Sequence, residues 1–171
     1  MLLVAVTHTS FNRSNNRVYL SQDRHLYSFD SALRRVTTLR LPLAPDQCAA
    51  DNLPSSAPSS TTASPASNTV YVNTCGYITV VDGATNRVHH SIATTGTGVV
   101  LDAPARQVYT LTGSRIAIYS TATAKLVTTV PVQLGVGGLR NGNAWFAVNT
   151  TNHKVYLPTS VSRISGLVPH A

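Results

Sequence analysis

Carboxylates are the scarcest of the residues that could do chemistry in this chain of 171 residues. There is no glutamate, and the six acids are Asp23, Asp30, Asp46, Asp51, Asp82 and Asp102. Four of them stand among turn-forming residues, where aspartate accepts hydrogen bonds from backbone N–H groups. Only Asp23 and Asp46 remain for acid–base work, whereas a metal-assisted hydrolase needs several oxygen ligands around one cation. We therefore expect no catalytic residue, no metal ion and no cofactor.

The two cysteines could form a disulfide, and two adjacent histidines are candidates for metal binding. Cys48 and Cys75 are the two cysteines. In an oxidising compartment, a disulfide between them would stabilise the fold by ~3 kcal/mol; two free thiols are the alternative, and the sequence leaves both open. His89 and His90 are adjacent on a predicted strand, where neighbouring side chains point to opposite faces. We expect them not to share a metal ion.

The charge is strongly positive, because thirteen Lys and Arg residues against six acids give a formal net charge of +7. Such a charge favours an anionic partner such as nucleic acid or polysaccharide, although charge spread along a chain also serves solubility. No nucleophile elbow, phosphate loop or dinucleotide motif occurs. No apolar run reaches the ~18 residues of a membrane span. Residues 1–6 lack the basic start of a signal peptide, so we see none.

An internal repeat must position all of these residues. A Val-Tyr pair recurs at Tyr19, Tyr71, Tyr109 and Tyr156. The residues that follow each tyrosine align without a gap over three units, and a fourth unit follows the pattern in part. Seven residues after the first three tyrosines stand Leu26, Ile78 and Ile116, whereas Ile164 stands eight after the fourth; eleven after each tyrosine stand Asp30, Asp82, Ser120 and Leu167. Fixed offsets in successive units indicate a repeat architecture.

Each repeat unit is predicted to contain four short strands, which we call inner, second, third and outer. In the second unit, 68–72 and 77–81 are rich in β-branched residues and 82–86 is a turn cluster. No window has a convincing helical period, so we expect essentially no helix. Four-stranded units at about forty residues are typical of β-propeller blades. A β-sandwich is the alternative, but it does not explain the fixed offsets.

The motifs of the second unit carry a family resemblance. They are Asn68-Thr69-Val70-Tyr71-Val72-Asn73 and Ile78-Thr79-Val80-Val81-Asp82-Gly83-Ala84-Thr85-Asn86-Arg87-Val88. The chain thereby resembles the YVTN-type β-propeller repeat family, over about four units. The third unit departs from the pattern at Ser120. The resemblance implies a β-propeller and a secreted, periplasmic or cell-surface location, and some members resemble lactonase-type propellers. Propellers carry many unrelated activities, so the resemblance implies no single function.

We expect one all-β propeller domain over 1–171, with units at approximately 1–42, 43–95, 96–134 and 135–171. The inner strand of the second unit is predicted at 48–50, followed by a mobile insertion over 52–67 that is rich in Ser, Thr, Ala and Pro. The fourth unit lacks an outer strand. Three arrangements stay open: four blades closing alone, a part of a larger propeller, or a homodimer through open propeller ends.

One face of such a propeller gathers the outer-to-inner connections and the second-to-third loops. The candidate binding residues on this rim are Asp23, Arg24, His25, Asp46, Tyr77, Arg115 and Arg163. The first functional hypothesis is a non-catalytic binding or surface-interaction module for an unknown protein or anionic ligand. The alternatives are a truncated or half propeller related to lactonase-type hydrolases, and electrostatic binding of nucleic acid or polysaccharide.

Overall fold

Fifteen strands and no helix make up the described part of the chain. A computed structural model describes residues 8–22, 24–42, 60–74, 76–133, 146–158 and 164–167. The strands form four antiparallel sheets in which each strand pairs with its neighbour in sequence. Three sheets have four strands and one has three described strands. We call the sheets blades 1 to 4, in chain order.

The bounds of the strands follow the repeat closely. Blade 1 consists of β1 (His8–Asn12), β2 (Arg17–Gln22), β3 (His25–Phe29) and β4 (Arg35–Arg40). Blade 2 consists of β5 (Ser60–Ser64), β6 (Thr69–Thr74), β7 (Tyr77–Asp82) and β8 (Arg87–Ala93). Blade 3 consists of β9 (Thr97–Asp102), β10 (Gln107–Thr112), β11 (Arg115–Ser120) and β12 (Leu126–Pro131). Blade 4 consists of β13 (Ala147–Asn149), β14 (Lys154–Pro158) and β15 (Ile164–Leu167).

Two compact units contain these blades, unit 1 within residues 1–95 and unit 2 within 96–171. Blades 1 and 2 lie in unit 1, and blades 3 and 4 lie in unit 2. The all-β architecture of four-stranded, propeller-type blades predicted from the repeat is confirmed. Among the described residues no helix is long and apolar enough to cross a membrane.

The repeated positions form the core of each unit, which explains why their offsets are fixed. In unit 1, Tyr19 and Leu26 pack with Leu41 of blade 1 and with Val70, Val72 and Val81 of blade 2. In unit 2, Tyr109 and Ile116 belong to a separate cluster that includes Val155 and Leu157 of blade 4. Burial of such side chains contributes ~1.5–3 kcal/mol each, so a shift in register would expose several at once.

The first turn of each blade has the same backbone geometry. Asn16, Asn68, Arg106 and His153, each three residues before the repeated tyrosine, have φ values of 57°, 49°, 53° and 55°. This left-handed conformation suits asparagine, whose short polar side chain bonds locally. Arginine and histidine are less common there, so blades 3 and 4 carry a small conformational cost at this position.

The end of the outer strand is fixed in the same way in three blades. The backbone N–H of Leu41 donates to the carbonyl of Arg24 at 2.7 Å. Thr94 donates likewise to Gly76 at 3.0 Å, and Val132 to Ser114 at 2.8 Å. Each bond ties the residue after the outer strand to the turn between the second and third strands, which holds that turn in place.

The second half of the insertion predicted over 52–67 is instead part of blade 2. Residues 60–64 form β5, paired with β6 from Ser60 opposite Asn73 to Ser64 opposite Thr69. The prediction failed because this inner strand packs closely against β1 and β2 with small side chains, which look like linker composition. Thr61 and Ser64 are buried, and the Thr61 hydroxyl donates to Ser21 Oγ at 2.7 Å. Residues 48–50, the predicted inner strand, lie outside the described residues.

Candidate functional site

Blade 1 contains two of the described residues of the predicted rim. Arg24 lies in the tight connection between β2 and β3, and His25 begins β3. Of the other predicted rim residues, Tyr77 and Arg115 are described, whereas Asp23, Asp46 and Arg163 lie outside the described residues. Cys48 and Cys75, the predicted disulfide pair, also lie outside them.

Arg24 has an unusual backbone and an unusual side chain. Its φ is 66°, and its carbonyl accepts the hydrogen bond from Leu41 that closes the blade. A positive φ in a bulky residue is uncommon, but Gly76 at the equivalent turn of blade 2 has a φ of 86°, so the turn itself requires this backbone geometry. The Nε atom of Arg24 is buried and has no hydrogen-bond partner among the described residues. A buried donor of this kind stabilises the fold only when an acceptor satisfies it.

Two more basic side chains accompany Arg24 at this end of blade 1. His25 stands opposite Arg40 in the pairing of β3 with β4. The His25 ring lies 6.0 Å from the Tyr27 ring, centroid to centroid, at an interplanar angle of 40°. We call Arg24, His25 and Arg40 the basic end of blade 1. The predicted rim omitted Arg40, although the short hairpin between β3 and β4 brings it opposite His25.

Tyr77 and Arg115 stand at the equivalent ends of blades 2 and 3. Tyr77 begins β7 opposite Thr74, and its carbonyl accepts a hydrogen bond from the Thr74 hydroxyl at 3.3 Å. Arg115 begins β11, and its Nε and Nη2 atoms donate to Thr129 Oγ1 on β12 at 3.1 and 2.9 Å. The guanidinium of Arg115 is thus directed along its own blade. A single rim formed by all of the predicted residues stays a prediction.

The opposite ends of blades 1 and 2 are joined by a polar network. The Asn68 Oδ1 atom accepts hydrogen bonds from Asn12 Nδ2 at 2.9 Å, from Asn15 Nδ2 at 2.8 Å and from Ser14 Oγ at 3.0 Å. The carbonyl of Gly83 accepts from Asn15 Nδ2 at 3.0 Å and from Arg17 Nη1 at 3.2 Å. These bonds satisfy one another across two blades, which indicates a structural role.

In unit 2 an ionisable pair takes the place of two asparagines. His153 Nδ1 lies 2.7 Å from Asp102 Oδ2, and the Asp102 side chain is fully buried while that of His153 is half exposed. Asp102 and His153 have the same offsets from their tyrosines as Asn12 and Asn68, so the pair joins blades 3 and 4 as the amides join blades 1 and 2. A carboxylate that orients an imidazole is also an acid–base arrangement, but the equivalence favours a structural role.

Tyr109 belongs to the same end of blade 3. Its hydroxyl donates to Gln107 Oε1 at 2.9 Å. Burial, together with the nearby charge of Asp102, raises the pKa of Tyr109 to about 12. The phenol therefore stays neutral and acts as a hydrogen-bond donor, not as a base.

The prediction that aspartates serve the turns is confirmed at Asp30 and Asp82. Asp30 Oδ1 accepts from the backbone N–H groups of Ala32 and Arg34, each at 2.9 Å, and the backbone N–H of Arg34 is the main cause of a lowered Asp30 pKa. Asp82 Oδ1 accepts from Ala84 and Thr85 at 2.8 Å, and the Thr85 N–H is the main cause of its lowered pKa. Asp51 lies outside the described residues.

The expectation that His89 and His90 point to opposite faces is wrong. Their Nδ1 atoms lie 3.0 Å apart, with ring centroids 5.0 Å apart. The pairing of β7 with β8 passes from Val81–Val88 to Val80–His90, so His89 is an extra residue in a β-bulge. A bulge interrupts the alternation of side chains that the prediction assumed. Among the described residues no group of three His, Cys, Asp or Glu could hold a metal ion.

Comparison with known proteins identifies the fold and no more. No protein-family model and no curated protein matches the chain. Solved structures do match, and one is a chain of Kuenenia stuttgartiensis hydrazine synthase, a protein that contains a β-propeller. The TM-score is 0.69 at 12% sequence identity, over 95% of this chain and 44% of that one. This chain thus spans less than half of that structure. The likeness and the four sheets together show that the fold is that of a β-propeller.

Proposed function

We propose that this chain is a non-catalytic β-propeller binding module that takes an anionic group at the basic end of blade 1. The observation that carries the proposal is the Nε atom of Arg24, which is buried and has no hydrogen-bond partner among the described residues. A buried, unsatisfied donor of a charged group costs more than ~1–3 kcal/mol. A bound carboxylate or phosphate oxygen would satisfy it once the Arg24 side chain turns to meet the ligand.

The chemistry of the neighbouring residues supports an anion. The planar guanidinium of arginine matches the oxygens of carboxylate and phosphate groups, so Arg24 can serve as the anchor. Arg40 stands opposite His25 and adds a second guanidinium. The formal charge of +7 attracts anions to the molecule from a distance. The backbone bond from Leu41 to Arg24 holds the turn, so the site is partly organised before the ligand arrives.

Titration with inorganic phosphate tests the proposal directly, with the arginine Nε–H signals observed by two-dimensional ¹⁵N NMR. We expect the Arg24 signal to shift and saturate as phosphate is added. We also expect the Arg40 signal to shift to saturation, and this shift should be lost in Arg24→Gln, whose other signals should show that it is folded.

Arg35 supplies the matched control. It is an exposed arginine at the opposite end of β4, so Arg35→Gln removes the same charge from the same blade. We expect Arg35→Gln to leave the saturation of the Arg24 signal unchanged. A uniform, unsaturating shift of all arginine signals would overturn the proposal, because it would indicate general screening of charge and no site.

A further inference from the structure

The bulge in β8 brings two imidazoles together. They belong neither to the polar network between blades 1 and 2 nor to the basic end of blade 1. His89 has no pairing partner on β7, since Val88 pairs with Val81 and His90 with Val80. The extra residue rotates the local backbone, and both rings come to one side of the strand. The distance between the Nδ1 atoms is 3.0 Å, and the rings meet edge to face at 66°.

The two Nδ1 atoms are the nitrogens that face each other. His89 is exposed on the outer strand of blade 2, and His90 is partly buried. The Nε2 atom of His90 is buried and has no hydrogen-bond partner among the described residues. This nitrogen is turned away from solvent, so Nδ1 is the atom through which His90 meets a ligand. The exposed His89 ring is free of packing on its outer side and can turn toward the same ligand.

The separation of the Nδ1 atoms fits two neighbouring positions around a divalent ion. Imidazole nitrogens bind such ions at about 2.0–2.1 Å. Two ligands at right angles at that length are about 2.9 Å apart, whereas a tetrahedral arrangement needs about 3.4 Å. The observed 3.0 Å is close to the right-angled value. Square-planar and tetragonal nitrogen sites are typical of copper(II) and nickel(II), and copper(II) binds most tightly in the series.

Charged groups of both signs stand near the pair. The carboxylate of Asp82 lies close enough to His89 for the charge of one to affect the other. Arg87 begins the same strand and is exposed, so it adds a positive charge that points into solvent.

We propose that His89 and His90 form a two-nitrogen binding site for copper(II), with both Nδ1 atoms as ligands and water in the remaining positions. Without the ion, the rings share one proton between their Nδ1 atoms. When the ion binds, that proton moves to the Nε2 atom of its own ring, so no net proton is released from the neutral pair. A site with two protein ligands is open and exchanges its ion readily, in contrast to a closed structural site.

Copper(II) titration at neutral pH tests this site, with glycine as a competing chelator and electron paramagnetic resonance as the readout. The wild-type chain is expected to bind one copper(II) ion with hyperfine structure from two imidazole nitrogens. His89→Gln and His90→Gln should each lose one nitrogen from the spectrum. Each should bind at least about tenfold more weakly, because the second ligand no longer acts at high effective concentration.

His153→Asn serves as the control, since it removes a histidine far along the sequence and keeps a hydrogen-bonding side chain. It should retain the two-nitrogen spectrum and the wild-type affinity. Circular dichroism of each glutamine variant establishes that the sheet is intact. Wild-type affinity in either glutamine variant, or loss of the two-nitrogen signal in His153→Asn, would overturn the assignment.

Discussion

His153 holds in blade 4 the position that Asn68 holds in blade 2, and this equivalence makes its role testable. His153→Ala removes the imidazole that lies 2.7 Å from the buried Asp102 carboxylate, which also accepts a hydrogen bond from the backbone N–H of Ala105 at 3.3 Å. A buried group that loses its partner costs ~1–3 kcal/mol, and alanine is also strained at a φ of 55°. We therefore expect His153→Ala to lower the free energy of unfolding by about 2 kcal/mol.

His153→Asn should cost much less, because asparagine accepts the left-handed backbone and its amide can donate to Asp102. Urea unfolding of both variants measures the difference. If alanine and asparagine were equally destabilising, the hydrogen bond to Asp102 would contribute nothing and the structural role would be refuted. If neither destabilised the fold, the pair would be free for another function.

For single residues, the sequence predicted the contacts with nearby residues but not the partners that are distant in sequence. Asp30 and Asp82 bond to N–H groups two to four residues ahead, so the turn pattern alone predicted their contacts. Asp102 also receives such a bond from Ala105, but its main partner is 51 residues away. The signal for that partner was present, since His153 and Asn68 have the same offset from a repeated tyrosine.

Gly83 shows how one element depends on the absence of a side chain. A Cβ at Gly83 would lie 2.7 Å from the carbonyl oxygen of Asn68 and 2.9 Å from Asn15 Nδ2. The backbone N–H of Gly83 also donates to that Asn68 carbonyl at 2.8 Å. Gly83→Ala must therefore push the turn after β7 away from Asn68 of the same blade and from Asn15 of blade 1. Overpacking of this kind costs ~1–3 kcal/mol.

We expect the urea midpoint of Gly83→Ala to fall accordingly. Gly113→Asn is the control, because Gly113 has open space around it and a φ of 55°, which asparagine tolerates. Its midpoint should stay close to that of the wild-type chain. A Gly83→Ala midpoint equal to that of the wild-type chain would contradict the role of the network.

The strands that the sequence predicted correctly are those with large, repeated side chains. Tyr19, Tyr71 and Tyr109 and the residues seven positions later are all buried, so packing fixes the pattern that the sequence displays. β5 was missed because its buried side chains are small and polar, as in a linker. The bulge at His89 was missed because a period of two residues contains no signal for an inserted residue.

At the scale of the whole molecule, few carboxylates offset the positive charge. Among the described residues Arg34 forms an ion pair with Asp30, and the Asp102 carboxylate contacts His153. Asp82 is occupied by backbone N–H groups. Most of the described arginines therefore form no ion pair with a described carboxylate, and the formal charge of +7 acts on any anion that approaches. Such a field attracts polyanions without regard to sequence.

This positive field predicts that the affinity for a polyanion falls steeply as the salt concentration rises. Comparing two variants separates the effect of the field from binding at the basic end of blade 1. We expect a mixed-sequence single-stranded oligonucleotide, followed by fluorescence anisotropy, to bind more weakly as salt rises from about 50 to 200 mM. Each phosphate contact contributes a slope of about −0.7 in log affinity against log salt. If the field alone drives binding, Arg24→Gln and Arg35→Gln should lose affinity for the oligonucleotide equally, since each variant loses one charge from blade 1. If a site exists at Arg24, Arg24→Gln should bind more weakly than Arg35→Gln. An affinity that does not change with salt concentration would contradict the role of the positive field.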